Sequence, residues 1–211
     1  MPILQVYLLF HVNDFTVCGA NERIIDNYHA HMKTKYEITF NQDGIFLGIH
    51  IKKLHDDASI LRKLNQMQNI FDKYLPNGPT LKTAPLEPMN TAYSKSFGKD
   101  NSPLADKTQF HSMLGAVMQL TDVRPDIAFI ISKISQQQCN PRLKDEEALM
   151  YVINYLYYSR DRGVVLRRSK LLTAQSWMKL RGYSDCSYAC HDNGKPQDCV
   201  CYDSRWKCSR R

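Results

Sequence analysis

Thr121-Asp122-Val123-Arg124-Pro125-Asp126-Ile127-Ala128 separates two helical patterns in this 211-residue chain. Pro125-Asp126 opens a helix, because proline suits the first turn and an acidic residue there complements the helix dipole. Isoleucines follow at helical spacing, so one face of this helix is expected to be buried. The members of that face are Ile127, Ile130, Ile131 and Ile134.

A helix is predicted on each side of that stretch. Upstream, Ser102-Pro103 is a cap and first-turn pair for a helix that runs to about Thr121. Its inward positions are Leu104, Phe110, Met113, Leu114 and Val117. Downstream, an acidic first turn at residues 144–147 begins a third helix. The apolar side of this third helix holds Ala148, Tyr151, Val152, Tyr155 and Leu156.

The N-terminal part of the chain predicts a β-hairpin followed by a helix. Residues 3–10 and 15–18 are runs of β-type residues, and the polar tetrapeptide His11-Val12-Asn13-Asp14 between them suits a tight turn. Asn21-Glu22 then indicates a helix start. The apolar residues that follow at helical spacing are Ile24, Ile25, Tyr28 and Met32.

Further strands and a connector are predicted beyond this helix. Residues 45–52 alternate between apolar and polar side chains, which predicts one strand, and residues 59–64 form the returning strand. The apolar face of the first strand holds Ile45, Leu47, Ile49 and Ile51. A short helix around Ile70 ends before residues 76–103, a proline-rich segment read as an extended connector. With strand patterns returning after Gly163, the predicted fold class is α+β.

Composition and charge limit the function classes. No run of about 18 apolar residues is present, so no membrane span is expected, and a cytoplasmic or nuclear location is the default. Residues 1–159 hold 16 Lys+Arg and 16 Asp+Glu, whereas residues 160–211 hold 12 and 5, so the whole net charge of +7 lies in the last quarter. That basic stretch either follows a phosphate backbone or is a solvated surface.

Five motifs, in order, resemble the copia-type retrotransposon reverse transcriptases. His11-Val12-Asn13-Asp14-Phe15 resembles the family's Tyr-Val-Asp-Asp hairpin, and Phe46-Leu47-Gly48-Ile49 resembles the strand that holds the primer end. Residues 74–86 are similar to the entry into the thumb. Residues 110–128 most closely resemble the family's Leu-Ile-Gly…Thr-Arg-Pro-Asp-Ile segment, and residues 182–188 resemble the first strand of its ribonuclease H domain.

The resemblance implies a division of the chain into domains. Residues 1–64 would be a palm remnant with the polymerase hairpin, and residues 65–160 would be thumb and connection helices. Residues 161–197 would start a ribonuclease H-like domain. Residues 198–211, rich in Cys, Trp and Arg, are expected to be disordered or out of frame. The late cysteines also offer zinc ligands, although Cys199 and Cys201 lie closer than paired ligands usually do.

Nucleotide addition in this family needs two Mg²⁺ ions, which a cluster of carboxylates holds. The resemblance assigns Asp14 to the metal site and places Asn13 where the family has the first hairpin Asp. The family's third Asp comes from an upstream strand, which this chain is expected to lack. We therefore expect Asp14 to be vestigial, with weak Mg²⁺ binding and no catalysis. Asp185 matches the first ribonuclease H carboxylate and is expected to be vestigial too.

Nucleic-acid contacts are predicted from the basic residues near the C-terminus, and Leu47 and Gly48 are predicted to contact the primer. The candidate phosphate contacts are Arg160, Arg162, Arg167, Arg168 and Lys170. The tyrosines just upstream either stack on bases or belong to a helix core. They are Tyr155, Tyr157 and Tyr158.

The expected function is that of an inactive fragment of an RNA-directed DNA polymerase with ribonuclease H. Two alternatives stay open: a non-catalytic module that binds template–primer or the intact reverse transcriptase, and a polymerase completed by another chain. The apolar strand at residues 3–10 is expected to expose an edge, which favours homo-oligomers or aggregation.

Overall fold

The computed structural model describes the chain over several ranges, with the backbone alone for the last two: 6–12, 14–19, 21–39, 44–55, 58–85, 103–167, 180–187 and 197–204. Antiparallel strands and helices occur in separate runs along it, so the predicted α+β class is confirmed.

The predicted N-terminal hairpin is present. Strands β1 (Val6–His11) and β2 (Asp14–Gly19) pair antiparallel, from Val6 opposite Gly19 to His11 opposite Asp14. Helix α1 (Glu22–Lys33) follows, and the side chain of its N-cap Asn21 accepts a hydrogen bond from the Arg23 amide. Strand β1 leaves large apolar side chains exposed, among them Leu9 and Phe10. Self-association through this strand stays a prediction.

A four-stranded antiparallel sheet forms the centre of the β part. Its strands, in spatial order, are β3 (Ile45–Phe46), β4 (Ile49–Lys53), β5 (Ala58–Arg62) and β6 (Val164–Arg167). The β6 strand pairs with β5 from Ala58 opposite Arg167 to Leu61 opposite Val164. A strand from the range 161–197 thus shares a sheet with strands from the range 1–64. The domain boundaries themselves stay a prediction.

The prediction of one strand over residues 45–52 was wrong. Leu47 and Gly48 have positive φ angles of 51° and 73°, and they form a two-residue turn that brings Ile49 opposite Phe46. A turn with positive φ at both central residues matches the twist of a hairpin. The alternation of side chains continues through such a short turn, so the pattern hid it. Leu47 is 44% exposed rather than part of a covered face.

Four helices enclose the main core. They are α2 (Leu64–Tyr74), α3 (Lys107–Met118), α4 (Ala128–Ser135) and α5 (Leu143–Tyr158). A 3₁₀ turn at Pro125–Ile127 leads into α4, at the place where the sequence predicted a helix opened by Pro125-Asp126. The four isoleucines predicted for the inner face are all buried. They pack with side chains of the other helices, including Met67, Phe110, Leu149 and Ile153.

The predicted start of α3 at Ser102-Pro103 was wrong. The helix begins at Lys107, and its N-cap Asp106 accepts hydrogen bonds from the amides of Thr108 and Gln109. The aspartate side chain thereby satisfies two helix amides that would otherwise be unpaired. Ala105 instead donates its amide to the Pro141 carbonyl. Leu104, predicted inward, is 63% exposed.

The last strands described form a separate ribbon. β7 (Leu180–Ser187) pairs antiparallel with β8 (Gln197–Ser204), in agreement with the strand patterns predicted after Gly163. Strand β8 lies partly in the range 198–211, for which disorder or a change of frame was expected, and the reading frame stays a prediction. Residues 86–102 of the connector lie outside the described residues. Among the helices that are described, none has the length and apolar character needed to cross a membrane.

Candidate functional site

A cavity of about 570 Å³ lies between the N-terminal hairpin, α1 and the β3–β4 turn. Asp14 lines it from the start of β2, and Leu47 and Gly48 line it from the turn. The structure therefore brings together two predicted sites that are distant in sequence. Other lining residues include His29, Glu37, Thr39 and Ile51.

The walls of this cavity include both polar and apolar side chains. Asp14 and Glu37 supply carboxylates, while Phe15 and Phe46 supply rings. Among the residues that the structure describes, no three His, Cys, Asp or Glu side chains are grouped so as to hold a metal ion. A Mg²⁺ ion at Asp14 stays a prediction, and Asn13 lies outside the described residues.

A second polar group is buried where the 3₁₀ turn meets the end of α5. Arg124, 1% exposed, donates to both carboxylate oxygens of Asp126, from Nε at 2.9 Å and from Nη2 at 2.8 Å. It also donates to the Ser159 carbonyl at 3.1 Å and to the Ser159 hydroxyl at 2.7 Å. We call this group, completed by Tyr155 and Arg162, the Arg124 cluster.

Tyr155 extends the cluster toward the surface. Its hydroxyl donates to Asp126 Oδ2 at 2.6 Å and accepts from Arg162 Nη1 at 2.9 Å. Burial, and then the hydrogen bond to Asp126, raise the pKa of the Tyr155 phenol above 10.0, so it stays a donor at neutral pH. Burial would raise the pKa of the Asp126 carboxyl, but hydrogen bonds from Arg124 and Tyr155 and the Arg124 charge outweigh it. The pKa of Asp126 therefore lies below 3.8.

Acid is expected to remove the contribution of Asp126 to stability. A carboxyl with a lowered pKa in the folded state stabilises above its unfolded pKa, and this stabilisation is lost as pH falls through the folded value. The difference in free energy of unfolding between wild type and Asp126→Asn should therefore be largest near neutral pH and shrink below about pH 4. Urea denaturation at several pH values measures it, with exposed Asp161→Asn as the control for charge loss. A difference that stays constant down to low pH would contradict this assignment.

The motif residues around the cluster also hold elements together. Lys63, just before α2, donates from Nζ to Asp122 Oδ2 and to the Gln119 carbonyl, both at 2.7 Å. His111 Nε2 bonds the Gln138 carbonyl at 2.7 Å. Ser112 bonds both Lys73 and Tyr74 of α2. The residues 110–128 that carry the closest resemblance thus form packing contacts between helices.

The predicted basic residues have different environments. Arg160 is exposed, with its guanidinium carbon 5.6 Å from the centre of the Tyr157 ring. Arg162 belongs to the Arg124 cluster, and Arg167 on β6 has a buried Nε without a hydrogen-bond partner. Arg168, Lys170 and the side chain of Asp185 lie outside the described residues.

The tyrosines before these basic residues fall into two classes. Tyr155 is 1% exposed, so its interpretation as a core residue was right, whereas Tyr158 is 47% exposed and donates to the Pro79 carbonyl.

Sequence reasoning gave no role to Arg124. The available signal was that Arg124 lies two residues before Asp126 at a helix start, a spacing at which the two side chains can form an ion pair.

Comparison with known proteins gives relatives for most of the chain. Over 185 residues, or 87% of the chain, the sequence is 23% identical to the retrovirus-related Pol polyproteins from transposons RE1 and RE2 of Arabidopsis thaliana. The chain spans 12% of the length of these polyproteins. It is 25% identical over 174 residues to an uncharacterized mitochondrial protein of Arabidopsis thaliana, covering 82% of the chain and 70% of that protein.

No protein-family model and no solved structure matches the chain. These relatives match the chain over 82–87% of its length. They support a retrotransposon Pol origin for this chain, as a fragment of a retroelement.

Proposed function

We propose that the chain is part of the reverse transcriptase region of a copia-type Pol polyprotein and that it binds an RNA–DNA template–primer without catalysing nucleotide addition. The observation that supports this most is the cavity that Asp14 shares with the Leu47-Gly48 turn. The resemblance assigns the first to the polymerase hairpin and the second to the primer contact. One cavity would thus receive the primer end.

The proposed lack of catalysis follows from a negative charge that is missing at the hairpin. Asn13 offers one neutral amide oxygen where the family has a carboxylate, and Mg²⁺ prefers charged oxygen ligands. Phosphate contacts and apolar contacts to a primer do not need that carboxylate. Asn13 is therefore expected to remove a ligand that catalysis needs while it leaves primer binding intact, which favours a binding module over a polymerase.

Leu47→Asn tests the proposal, because fold and binding should respond in opposite directions. Leucine is strained at a positive φ, whereas asparagine tolerates it, so the variant should gain about 1 kcal/mol of stability. Loss of the apolar contact should weaken template–primer binding about fivefold, equivalent to about 1 kcal/mol. Thermal unfolding and fluorescence anisotropy with a labelled RNA–DNA hybrid measure the two effects.

Leu81→Asn is the matched control, since Leu81 is 64% exposed and does not line the cavity. It should leave hybrid binding unchanged. If Leu47→Asn binds the hybrid as tightly as wild type, the cavity does not receive the primer end. If wild type itself fails to bind at low salt, the proposed function is wrong.

A further inference from the structure

Arg162 is an exposed residue whose guanidinium is held by a buried group. Its Nη1 donates to the Tyr155 hydroxyl at 2.9 Å, and its guanidinium carbon lies 5.9 Å from the centre of the Tyr155 ring. Free arginine side chains at a surface sample many rotamers, and ordering one on binding costs free energy. A contact to a buried tyrosine restricts that freedom before any ligand arrives.

Tyr155 is itself fixed by the rest of the Arg124 cluster. Its hydroxyl has one proton, and that proton goes to Asp126 Oδ2, so the oxygen presents its lone pairs to Arg162. Asp126 is in turn held on both oxygens by Arg124, which also bonds the carbonyl of Ser159 at the end of α5. A relay of hydrogen bonds therefore runs from the core to a surface cation.

We propose that this relay preorganises Arg162 as a contact for a phosphate of bound nucleic acid. The inference rests on the proposed function, which supplies the nucleic acid. One Nη1 bond leaves most of the guanidinium donors without a partner among the residues that the structure describes. Arginine presents these donors as a planar fork that fits a phosphate. Arg160, at the same end of α5, adds a second positive charge.

In this arrangement Arg162 is the contact and Tyr155 is a positioning residue that acts through it. Removing the charge of Arg162 removes one phosphate contact, which lowers both affinity and the salt dependence of binding. Removing the Tyr155 hydroxyl leaves the charge in place but frees the side chain. Affinity then falls while the salt dependence remains. This fall requires that Arg162 is present, whereas general loss of structure would weaken binding with or without Arg162.

The experiment measures binding of the full chain to a labelled RNA–DNA hybrid by fluorescence anisotropy over a series of NaCl concentrations. Arg162→Gln should weaken binding and lower the slope of log affinity against log salt by about one. Tyr155→Phe should weaken binding about 3- to 10-fold with the slope unchanged. In the double variant, Tyr155→Phe should add nothing to the effect of Arg162→Gln.

Lys107→Gln is the control for loss of a positive charge. Lys107 lies beside the N-terminal end of α5, which at 16 residues is about 24 Å long, so it is far from Arg162. It should leave the slope unchanged. Arg162→Lys tests the inference even if Tyr155→Phe does not fold, because lysine keeps the positive charge but lacks the planar set of guanidinium donors. It should keep the slope and bind more weakly.

Three results would overturn the inference while wild type still binds the hybrid: an unchanged slope in Arg162→Gln, full affinity in Arg162→Lys, or additive effects in the double variant. Wild type that does not bind the hybrid at low salt would instead overturn the proposed function, and the inference with it.

Discussion

Replacing Arg124 with methionine is expected to lower the free energy of unfolding by about 3–5 kcal/mol. Methionine fills much of the same space, but it leaves the Asp126 carboxylate without its two charged hydrogen bonds. The Ser159 carbonyl also loses its Arg124 donor in a buried place. Removing one partner of a buried pair is costly mainly because of the groups left unpaired.

Chemical denaturation of wild type and Arg124→Met measures this loss. Arg23→Met is the control, because Arg23 is an exposed arginine on α1, and it should change stability by less than about 0.5 kcal/mol. The double variant Arg124→Met with Asp126→Leu should cost less than the sum of its two single changes, since neither charge then remains alone. A single Arg124→Met variant as stable as the control would show that the cluster does not hold the helices together.

The local elements of this fold could be predicted because their signals are local. The helix that Pro125 opens follows from that proline and from the isoleucine spacing, and the first hairpin follows from two β-type runs around a polar turn. The start of α3 was missed because two helix-start signals, the Ser102-Pro103 pair and Asp106, lie close together in the sequence. The β3–β4 turn was missed because leucine at a positive φ is not a turn signal.

Long-range arrangement could not be derived from pattern alone. The pairing of β6 with β5 joins residues about a hundred positions apart, and neither strand carries a sequence signal that identifies its partner. The shared cavity of Asp14 and Leu47 depends on how the hairpin packs against the sheet. The Arg124 cluster depends on the end of α5 reaching the 3₁₀ turn, which no local signal encodes.

The stretch of sequence with the closest resemblance contributes hydrogen bonds that hold the helices. Thr121, Asp122, Arg124 and Asp126 each bond a group that ends or joins a helix.

Gly163→Ala is the second change for which we expect a large effect, although it adds a single methyl group. The new Cβ would lie against the Leu61 carbonyl oxygen at a distance that side chains do not reach, with the Arg62 Cγ at 2.7 Å and the Ile60 Cγ1 at 3.2 Å. The Leu61 oxygen belongs to the backbone of β5, which is paired with a strand on each side, so it cannot move away as the end of a flexible side chain could. Strand β6 must therefore shift from β5, at a cost of about 3 kcal/mol, the upper end for overpacking.

Gly115→Ala makes the same chemical change where the structure leaves open space. Gly115 is exposed on α3, and no atom lies within 4 Å of the added Cβ, so alanine should stabilise the helix by about 0.5–1 kcal/mol. Thermal or urea unfolding of the two variants should move in opposite directions. If Gly163→Ala instead stabilises the chain as Gly115→Ala does, β6 does not lie against β5. The assignment of residues 164–167 to the same sheet as residues 45–62 would then be wrong.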